Sequence, residues 1–370
     1  MQKVLIMIDS FKGTLDSKDL GKTMKNIFSN HQIKADYVSI SDGGEGFYDA
    51  INAHLPLKKV PITLTTLDLR KKQTYYYINK DTAYIEVAQY IGFKGFNKGK
   101  NPLKYTSYAI GEIIHHIHNS GIKNIIIGLG GSLTNDFGLG LLEALGVKFF
   151  SDKPMKKLRP IDINHIKEVD ISSLDKYKDL CITILSDVTN PLFGSEGATF
   201  VFGRQKGLNK KHLPMIESAG KHLYDLLLKA GLKDTKDEPG AGAAGGLGNI
   251  FKSIFNTKTL KGINYILDLM NFDALIKNYD YLITGEGKID KQSLSGKVVF
   301  EIAKRSDKPV ILVCALSEIT LEEATVIHEN IKGLFSIVPS LASVEESLQN
   351  PKKYFTALCN HMLKHMFMVK

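Results

Sequence analysis

Short apolar runs that end in loops rich in glycine and acidic residues recur along this chain. The segments are residues 123–140, 9–13 after VLIMI, 42–46 after YVSIS, 187–191 after CITILS and 285–290 after YLIT. An unbroken apolar run predicts a strand that is covered on both faces, which is the pattern of a parallel sheet in α/β proteins. Because ligands of open α/β sheets bind where strands end, these loops are the first candidates for a functional site.

Size and charge narrow the class of protein. At 370 residues the chain is long enough for two domains. The net charge of +9 comes almost entirely from lysine, whereas nucleic-acid readers favour arginine for bidentate contacts, so we expect no nucleic-acid partner. No apolar run reaches the roughly 18 residues that span a bilayer, and the first residues lack the pattern of a signal peptide. We therefore expect no membrane partner and a cytoplasmic location.

The order of the patterns predicts an α/β fold with an interrupted domain. The chain begins as a βαβ unit in which Ser17 can cap the helix, and the same parallel pattern returns from Tyr281 onward. Between them lie Thr- and Tyr-rich strands with a hairpin turn at residues 79–81, which indicates antiparallel pairing. We predict one domain from residues 1–60 and 275–370, and an inserted α/β domain over residues 61–274.

Two glycine-rich loops are candidates for binding phosphate groups. In the first, Ser132, Thr134 and Asn135 follow Gly130 and Gly131 next to a helix start. The amino end of a helix attracts anions, and the extra glycines favour phosphate binding over simple helix capping.

The second glycine-rich loop satisfies GxGxxG at Gly240, Gly242 and Gly245. It follows Asp-Glu-Pro instead of a strand, so the dinucleotide fingerprint lacks its context. A flexible loop or tight helix packing is an equally good interpretation. The Walker A pattern is absent, which excludes a nucleotide site of the P-loop class.

Carboxylates at several predicted strand ends suggest a metal ion. The acidic and cationic residues in these loops are Asp9, Lys12, Asp42, Glu45, Asp136, Glu286 and Asp290. Like charges that gather at one edge of a sheet repel each other unless a cation or a proton separates them. Mg²⁺ held by one or two carboxylates and by phosphate oxygens meets that need. We predict Glu286, Asp290 and Asp136 as metal ligands, although each loop by itself could be an ordinary turn.

Asp187 is the candidate general base. It follows the predicted strand CITIL in the segment SDVTNP. A kinase needs a carboxylate that accepts the proton of the attacking hydroxyl, while positioning and charge neutralisation supply most of the catalysis. The competing interpretation is an Asx-turn before Asn190 and Pro191.

The motifs together resemble the bacterial glycerate kinases of the type 1 family. The motifs, in chain order, are DSFKG, SDGGEG, GLGGSxTNDxG, SDVTNPLFG, VFGxQKG, GAGAAGGLG and ITGEGxID. The resemblance implies ATP-dependent phosphorylation of D-glycerate to 2- or 3-phosphoglycerate by direct phosphoryl transfer assisted by Mg²⁺. It also implies a Rossmann-like domain interrupted by a second α/β domain, with the active site in the cleft between them.

The matching motif positions carry the expected roles in this chain. Asp187, Lys12 and Asp9 form the expected catalytic set, in which Lys12 neutralises the glycerate carboxylate or the transferring phosphoryl group. The residues expected to bind ATP are Gly130, Gly131, Ser132, Thr134, Asn135, Gly242 and Gly245. Those expected to bind glycerate are Asp42, Glu45, Asn190 and Lys206. The expected partners are ATP and glycerate, and a homodimer is compatible with the sequence.

Two alternatives remain open at this point. The chain departs from the family pattern at Leu133 and Phe137 in the first glycine-rich loop, and at Ala109 and Ile110. One alternative is a kinase of another small hydroxy acid. The other is a nucleotide- or metabolite-binding paralogue without catalysis, which the added bulk in the loop suggests.

Overall fold

The structure is a computed structural model that describes residues 2–11, 13–92, 101–152, 157–291, 293 and 298–368. Its strands are β1 (Lys3–Ile8), β2 (Lys34–Tyr37), β3 (Lys58–Thr65), β4 (Lys71–Asn79), β5 (Thr82–Glu86), β6 (Asn124–Gly128), β7 (Lys148–Ser151), β8 (Ile166–Asp170), β9 (Cys181–Leu185), β10 (Asn256–Leu260), β11 (Tyr281–Ile289), β12 (Val310–Ser317) and β13 (Ile331–Val338). Its helices are α1 (Ser17–Asn30), α2 (Phe47–Asn52), α3 (Val87–Ile91), α4 (Tyr108–Asn119), α5 (Leu139–Ala144), α6 (Ala198–Phe202), α7 (Leu213–Lys229), α8 (Leu247–Ile254), α9 (Gly262–Leu269), α10 (Phe272–Leu275), α11 (Val298–Arg305), α12 (Leu321–Ile327), α13 (Val344–Gln349) and α14 (Pro351–Met366).

Contacts divide the chain into two compact units. Unit 1 consists of Met1–Asp42, Gly46–Leu55 and Ile263–Lys370. Unit 2 consists of Gly43–Glu45 and Pro56–Gly262. The short segment at residues 43–45 therefore belongs to unit 2, although the chain on both sides of it belongs to unit 1.

Unit 1 contains a parallel sheet, as the unbroken apolar runs predict. The strand order is β13-β12-β11-β1-β2, and the described pairings are all parallel. From Val4 onward the residues of β1 are buried, because α1 and α14, which contact each other, help to cover the sheet. Asp16, not Ser17, caps α1, since its side chain accepts a hydrogen bond from the N–H of Asp19 at 2.7 Å.

Unit 2 contains a mixed sheet in the order β10-β9-β6-β5-β4-β3. β3, β4 and β5 pair antiparallel, and the pairings from β5 to β10 are parallel. The predicted hairpin is confirmed, because Asn79 pairs with Thr82 across a tight turn in which Lys80 adopts a φ of 52°. The α/β class and the antiparallel strands of the inserted region are therefore as expected.

The region YLITGEGKID differs from its prediction as a strand followed by a loop. β11 runs through the glycines to Ile289, because Glu286 pairs with Cys314 and Lys288 pairs with Leu316 of β12. At roughly 3.3 Å per residue, the extended backbone places the Cα atoms of Glu286 and Asp290 about 13 Å apart. The two carboxylates therefore do not share one tight loop.

None of the described helices is long and apolar enough to cross a membrane.

Candidate active site

Asp136 is a buried helix-capping residue in the loop between β6 and α5. Its carboxylate accepts hydrogen bonds from the N–H and Oγ of Ser107 at 2.7 and 2.8 Å, and from the N–H groups of Gly138 and Gly140 at 3.2 Å each. Burial raises the pKa of this carboxyl, and the four hydrogen bonds oppose that rise. Both oxygens of Asp136 accept N–H or O–H donors within the protein, and the prediction that it binds a metal stays a prediction.

The same loop carries a cluster of buried polar atoms. Lys206 donates from Nζ to Oγ of Ser132 at 3.1 Å and to the C=O of Thr134 at 2.7 Å. Asn135 donates from Nδ2 to Oγ1 of Thr199 at 3.3 Å. Within the described part of the chain, Oγ1 of Thr134 and Oδ1 of Asn135 are buried without a hydrogen-bond partner. The predicted phosphate loop and the predicted substrate lysine thus come together, although more than 70 residues separate them along the chain.

The side chain of Lys206 is almost completely removed from water. The residue is 3% exposed. Burial lowers its pKa to about 7, and the carboxylate of Asp136 opposes this change. A buried cation next to a hydroxyl that has no hydrogen-bond partner in the described residues is an environment that an anionic ligand would stabilise.

The second glycine-rich segment packs tightly against the first loop. Gly245 has a φ of 71°, and a Cβ there would lie 2.2 Å from the carbonyl oxygen of Thr134. At Gly242 a Cβ would lie 2.3 Å from the carbonyl oxygen of Pro191. Residues 240–250 are buried, so the segment is not a flexible loop. Tight packing explains both glycines, and their predicted contact with ATP stays a prediction.

Gly130 is also explained by close packing between two chain segments. A Cβ on Gly130 would lie 2.7 Å from Cα of Gly44, and one on Gly128 would lie 2.0 Å from the carbonyl oxygen of Gly43. The segment at residues 43–45 of the DGGEG motif therefore lies against the end of β6 and the phosphate loop. Its Glu45 is exposed, whereas Asp42 belongs to unit 1.

Asp187 and Asn190 follow β9 in unit 2. One carboxylate oxygen of Asp187 accepts a long hydrogen bond of 3.3 Å from the N–H of Gly262. Asn190 donates from Nδ2 to the C=O of Glu196 at 2.8 Å, and its own C=O accepts from the N–H of Gly242 at 3.0 Å. The loop that carries the candidate base is thus connected to the glycine-rich segment.

The bulky residues Leu133 and Phe137 lie in the core of unit 2. Leu133 is fully buried in that core, and Phe137 is 4% exposed. The ring of Phe137 occupies space next to Gly220 of α7, where a Cβ would lie 2.3 Å from it. Ala109 and Ile110 are buried in the same core. These departures from the family pattern therefore fill the core, which removes the reason to expect a loop that cannot bind phosphate.

Unit 1 places two predicted carboxylates side by side. Ile8 of β1 pairs with Gly285 of β11, and the N–H of Asp9 donates to the C=O of Gly285 at 2.8 Å. Asp9 and Glu286 therefore occupy neighbouring positions on adjacent parallel strands, about 5 Å apart. The register of β1 and β11 therefore places both residues at the same end of the sheet.

Asp290 belongs to a different cluster. Its Oδ1 accepts from the N–H of Ser293 at 3.0 Å, and Nζ of Lys288 lies 3.7 Å from its Oδ2 and 2.7 Å from Oε1 of Glu318. The end of β11 separates Asp290 from Glu286, and the prediction that each of them binds a metal stays a prediction. Lys12 lies outside the described residues.

The carboxylates described above fit Mg²⁺ that is bound together with the phosphate groups of a nucleotide. In the described part of the chain, no group of three or more His, Cys, Asp or Glu side chains is placed to hold a metal ion. Mg²⁺ in kinases binds through one or two carboxylates together with substrate phosphates, and oxygen donors such as Asp9 and Glu286 suit it. The donor set thus fits an ion that arrives with ATP better than a permanent metal centre.

Three residues with clear roles were not predicted from the sequence. Ser107 binds Asp136, Thr199 binds Asn135, and Glu217 of α7 accepts from the N–H of Gly194 at 2.7 Å. Ser107 directly precedes α4, and serine at that position is a common helix-capping residue. No local sequence pattern predicts the roles of Thr199 and Glu217. Their roles depend on contacts between distant segments.

Comparison with known proteins identifies the family. A sequence model described as the Glycerate kinase family matches residues 4–367. A glycerate kinase of Bacillus cereus is 36% identical over 93% of this chain and 93% of that relative. A glycerate 2-kinase of Escherichia coli is 34% identical over 94% of this chain and 93% of that relative. A solved structure of a glycerate kinase 2 from Salmonella typhimurium LT2 superposes with a TM-score of 0.74 at 30% identity, covering 99% of this chain and 98% of that one. This chain belongs to the glycerate kinase family.

Proposed function

We propose that this kinase transfers the γ-phosphoryl group of ATP to a hydroxyl group of glycerate. The observation that carries the proposal is the buried cluster of Ser132, Thr134, Asn135 and Lys206 in the loop after β6. Family membership supports the reaction, and the cluster supports the position of the phosphate groups within unit 2.

The cluster has the chemistry of an anion site. Lys206 supplies a positive charge, and the hydroxyl of Thr134 supplies a donor that has no partner among the described residues. In a site that excludes water, such groups interact with phosphate oxygens more strongly than they would in solvent. We assign the phosphates of ATP to this loop, with Ser132 and Asn135 contributing further contacts.

Asp187 serves as the general base in this proposal. Its carboxylate accepts one long hydrogen bond from the N–H of Gly262, and the loop that carries it contacts the glycine-rich segment through Asn190 and Gly242. Asp187 would accept the proton of the attacking glycerate hydroxyl. Asn190, Glu45 and Asp42 remain candidates for contacts with glycerate.

Asp9 and Glu286 are the proposed ligands of Mg²⁺. The ion would supply charge neutralisation for the phosphate groups, and carboxylate oxygens are donors that suit it. Lys12 is proposed to neutralise the glycerate carboxylate or the transferring phosphoryl group. The cleft position of the active site, the cytoplasmic location and the homodimer stay predictions.

Product identification tests the proposed function most directly. Incubation with ATP, Mg²⁺ and D-glycerate, followed by phosphorus NMR, should show a new phosphomonoester and ADP in equal amounts. The chemical shift distinguishes 2-phosphoglycerate from 3-phosphoglycerate, and this distinction also decides between the two positional types of product.

A panel of other small hydroxy acids in the same assay serves as the control for substrate identity. Faster turnover of another acid would replace glycerate as the substrate. ATP binding in calorimetry without ADP release from any acid would contradict a catalytic role.

A further inference from the structure

The environment of Lys206 is unusual for a lysine because its charge has no counter-ion in hydrogen-bond contact. Nζ donates to a hydroxyl oxygen of Ser132 and to the carbonyl oxygen of Thr134, and both of these acceptors are neutral. The side chain is almost completely removed from water. Burial without a paired anion disfavours the charged form of an amine.

Few charged groups act on Lys206 within the described residues. Asp136 is the charged group whose field reaches Lys206, and it favours the protonated amine. The carboxylate of Asp136 is itself held by Ser107 and by two backbone N–H groups, so it forms no direct bond with Lys206. Neither α6 nor the segment at residues 240–246 carries a titratable side chain. Asp136 is therefore the group whose charge opposes the effect of burial on Lys206.

A second observation points to a ligand at the same place. Oγ1 of Thr134 and Oδ1 of Asn135 are buried and have no hydrogen-bond partner in the described part of the chain. Thr134 is fully buried and Asn135 is 1% exposed. Buried polar atoms without partners are costly, and native proteins usually satisfy them with a ligand, an ion or an ordered water. The hydroxyl of Thr134 can donate to a phosphate oxygen, whereas Oδ1 of Asn135 accepts only and is suited to a donor such as an ordered water.

We propose that ATP binds to the loop at residues 132–135 together with one proton, which Lys206 takes up as the phosphate arrives. This inference rests on the proposed function, because it takes ATP as the ligand of that loop. The incoming phosphate provides the counter-ion that the free protein lacks. Lys206 thus gains its positive charge when the phosphate binds, whereas a permanently charged residue would carry that charge in the free protein as well.

The expected pH dependence follows from the sign of the shift. Burial lowers the pKa of Lys206 to about 7 in the free protein, so most molecules carry a neutral amine at pH 8. A bound phosphate favours the ammonium and raises the pKa. Binding at pH 8 should therefore take up about one proton per ATP. Affinity should fall about tenfold for each pH unit above neutrality, until the pKa of the bound form is reached.

Isothermal titration calorimetry measures this uptake. ATP is titrated into the full-length protein without glycerate at pH 8.0, where the nucleotide itself is fully ionised, in buffers that differ in ionisation enthalpy. The slope of the observed enthalpy against the buffer enthalpy gives the number of protons. We expect a value near one for the unmodified protein, and dissociation constants at pH 7.5 and 8.5 that differ by nearly tenfold.

Two variants and one control identify the group. Lys206→Arg keeps a permanent charge, because guanidinium does not deprotonate, and should bind ATP with no uptake and a flat pH dependence. Lys206→Met should bind ATP at least tenfold more weakly and show no uptake. Lys210→Met, which removes an exposed lysine four residues away, should behave like the unmodified protein.

The outcomes separate this inference from the proposed function. No proton uptake by an unmodified protein that does phosphorylate glycerate would overturn the role of Lys206 and leave the function intact. Uptake that persists in Lys206→Arg would also overturn it. Failure of the unmodified protein to bind ATP would reject both ideas. If Lys206→Met does not fold, the unmodified protein and Lys206→Arg still decide the question.

Discussion

The two units of this chain treat their predicted functional residues differently. In unit 1, Asp9 and Glu286 lie at neighbouring positions of a parallel sheet, and Asp290 pairs with Lys288 near the end of β11. In unit 2, Asp136 and Lys206 are buried and held by hydrogen bonds from several segments. Loops of similar composition thus place two carboxylates at neighbouring strand positions in unit 1 and form a buried, hydrogen-bonded polar cluster in unit 2.

This difference teaches that a glycine- or acid-rich loop can have two physical purposes. The glycines of unit 2 allow backbone segments to approach within a distance that a Cβ would prevent. In unit 1, Asp9 and Glu286 lie at neighbouring strand positions, and we propose them as ligands of Mg²⁺. Substitutions in unit 2 should therefore affect stability and activity together, whereas those in unit 1 should mainly affect the metal requirement.

The largest expected effect is on turnover. Asp187→Asn removes the proposed proton acceptor and should lower kcat by about 10²–10⁴-fold, while the melting temperature changes little. A coupled assay of ADP release with glycerate measures the loss. Asp175→Asn, at an exposed carboxylate of the same unit, is the control and should leave kcat unchanged. Near-normal turnover of Asp187→Asn would remove it from the catalytic set.

Backbone packing gives the next largest effect. Gly245→Ala must place a Cβ 2.2 Å from the carbonyl oxygen of Thr134, so it should lower the free energy of unfolding of unit 2 by about 2–4 kcal/mol. Gly194 has a φ of 93° with no atom within 4 Å of its Cβ position, and Gly194→Ala should cost only about 1 kcal/mol. Gly46→Ala is the matched control in unit 1. Equal losses in chemical denaturation for Gly245→Ala and Gly194→Ala would contradict tight packing.

A pair of Asp→Asn variants compares the two units directly. Asp136→Asn turns one oxygen into a donor that faces N–H groups, so we expect a loss of about 1–3 kcal/mol in stability. Asp290→Asn keeps an acceptor for Ser293 and should cost less than about 1 kcal/mol. Thermal melting measures both effects. Equal melting temperatures for Asp136→Asn and the unmodified protein would contradict the structural role of the Asp136 hydrogen bonds.

Titration of Mg²⁺ in the activity assay should show an increased requirement in Glu286→Gln, with Asp290→Asn as its matched comparison.

The last prediction is a pH dependence of stability, in which the change per pH unit is modest. The folded protein holds Lys206 at a pKa of about 7, below that of an unfolded lysine, so the unfolded chain binds more protons between pH 7 and 10. Stability relative to Lys206→Met should therefore rise with pH across this range, by at most about 1.4 kcal/mol per pH unit. Denaturation at several pH values measures the slope, and Lys210→Met should run parallel to the unmodified protein. A difference that stays constant with pH would mean that Lys206 is charged throughout.

Local patterns in the sequence predicted much of the fold. Apolar runs such as VLIMI gave parallel strands because a strand covered on both faces contains no polar alternation. The hairpin predicted at residues 79–81 is confirmed by the pairing of β4 with β5. The sequence predicts a loop at the GEG segment, because glycine signals a break even where pairing with a neighbouring strand, here β12, keeps the backbone extended.

The candidate site could be predicted only as a set of residue types. The sequence contained Ser132, Asn135 and Lys206 as candidates, but the hydrogen bond from Lys206 to Ser132 joins segments 74 residues apart. The hydrogen bond from Oγ of Ser107 to the carboxylate of Asp136 likewise depends on the packing of α4 against α5. No local pattern reports such a contact, because it forms only when two elements that are distant along the chain are brought together.

The sequence by itself determined the class of fold, the antiparallel hairpin and the inventory of polar groups, since hydrophobic periodicity and turn chemistry act over a few residues. The tertiary structure alone decided that Asp136 accepts hydrogen bonds at the start of α5 and that Lys206 is buried beside Thr134. It also placed Glu286, and not Asp290, next to Asp9. These outcomes depend on desolvation and on distances between remote segments, and both arise only when the chain is folded.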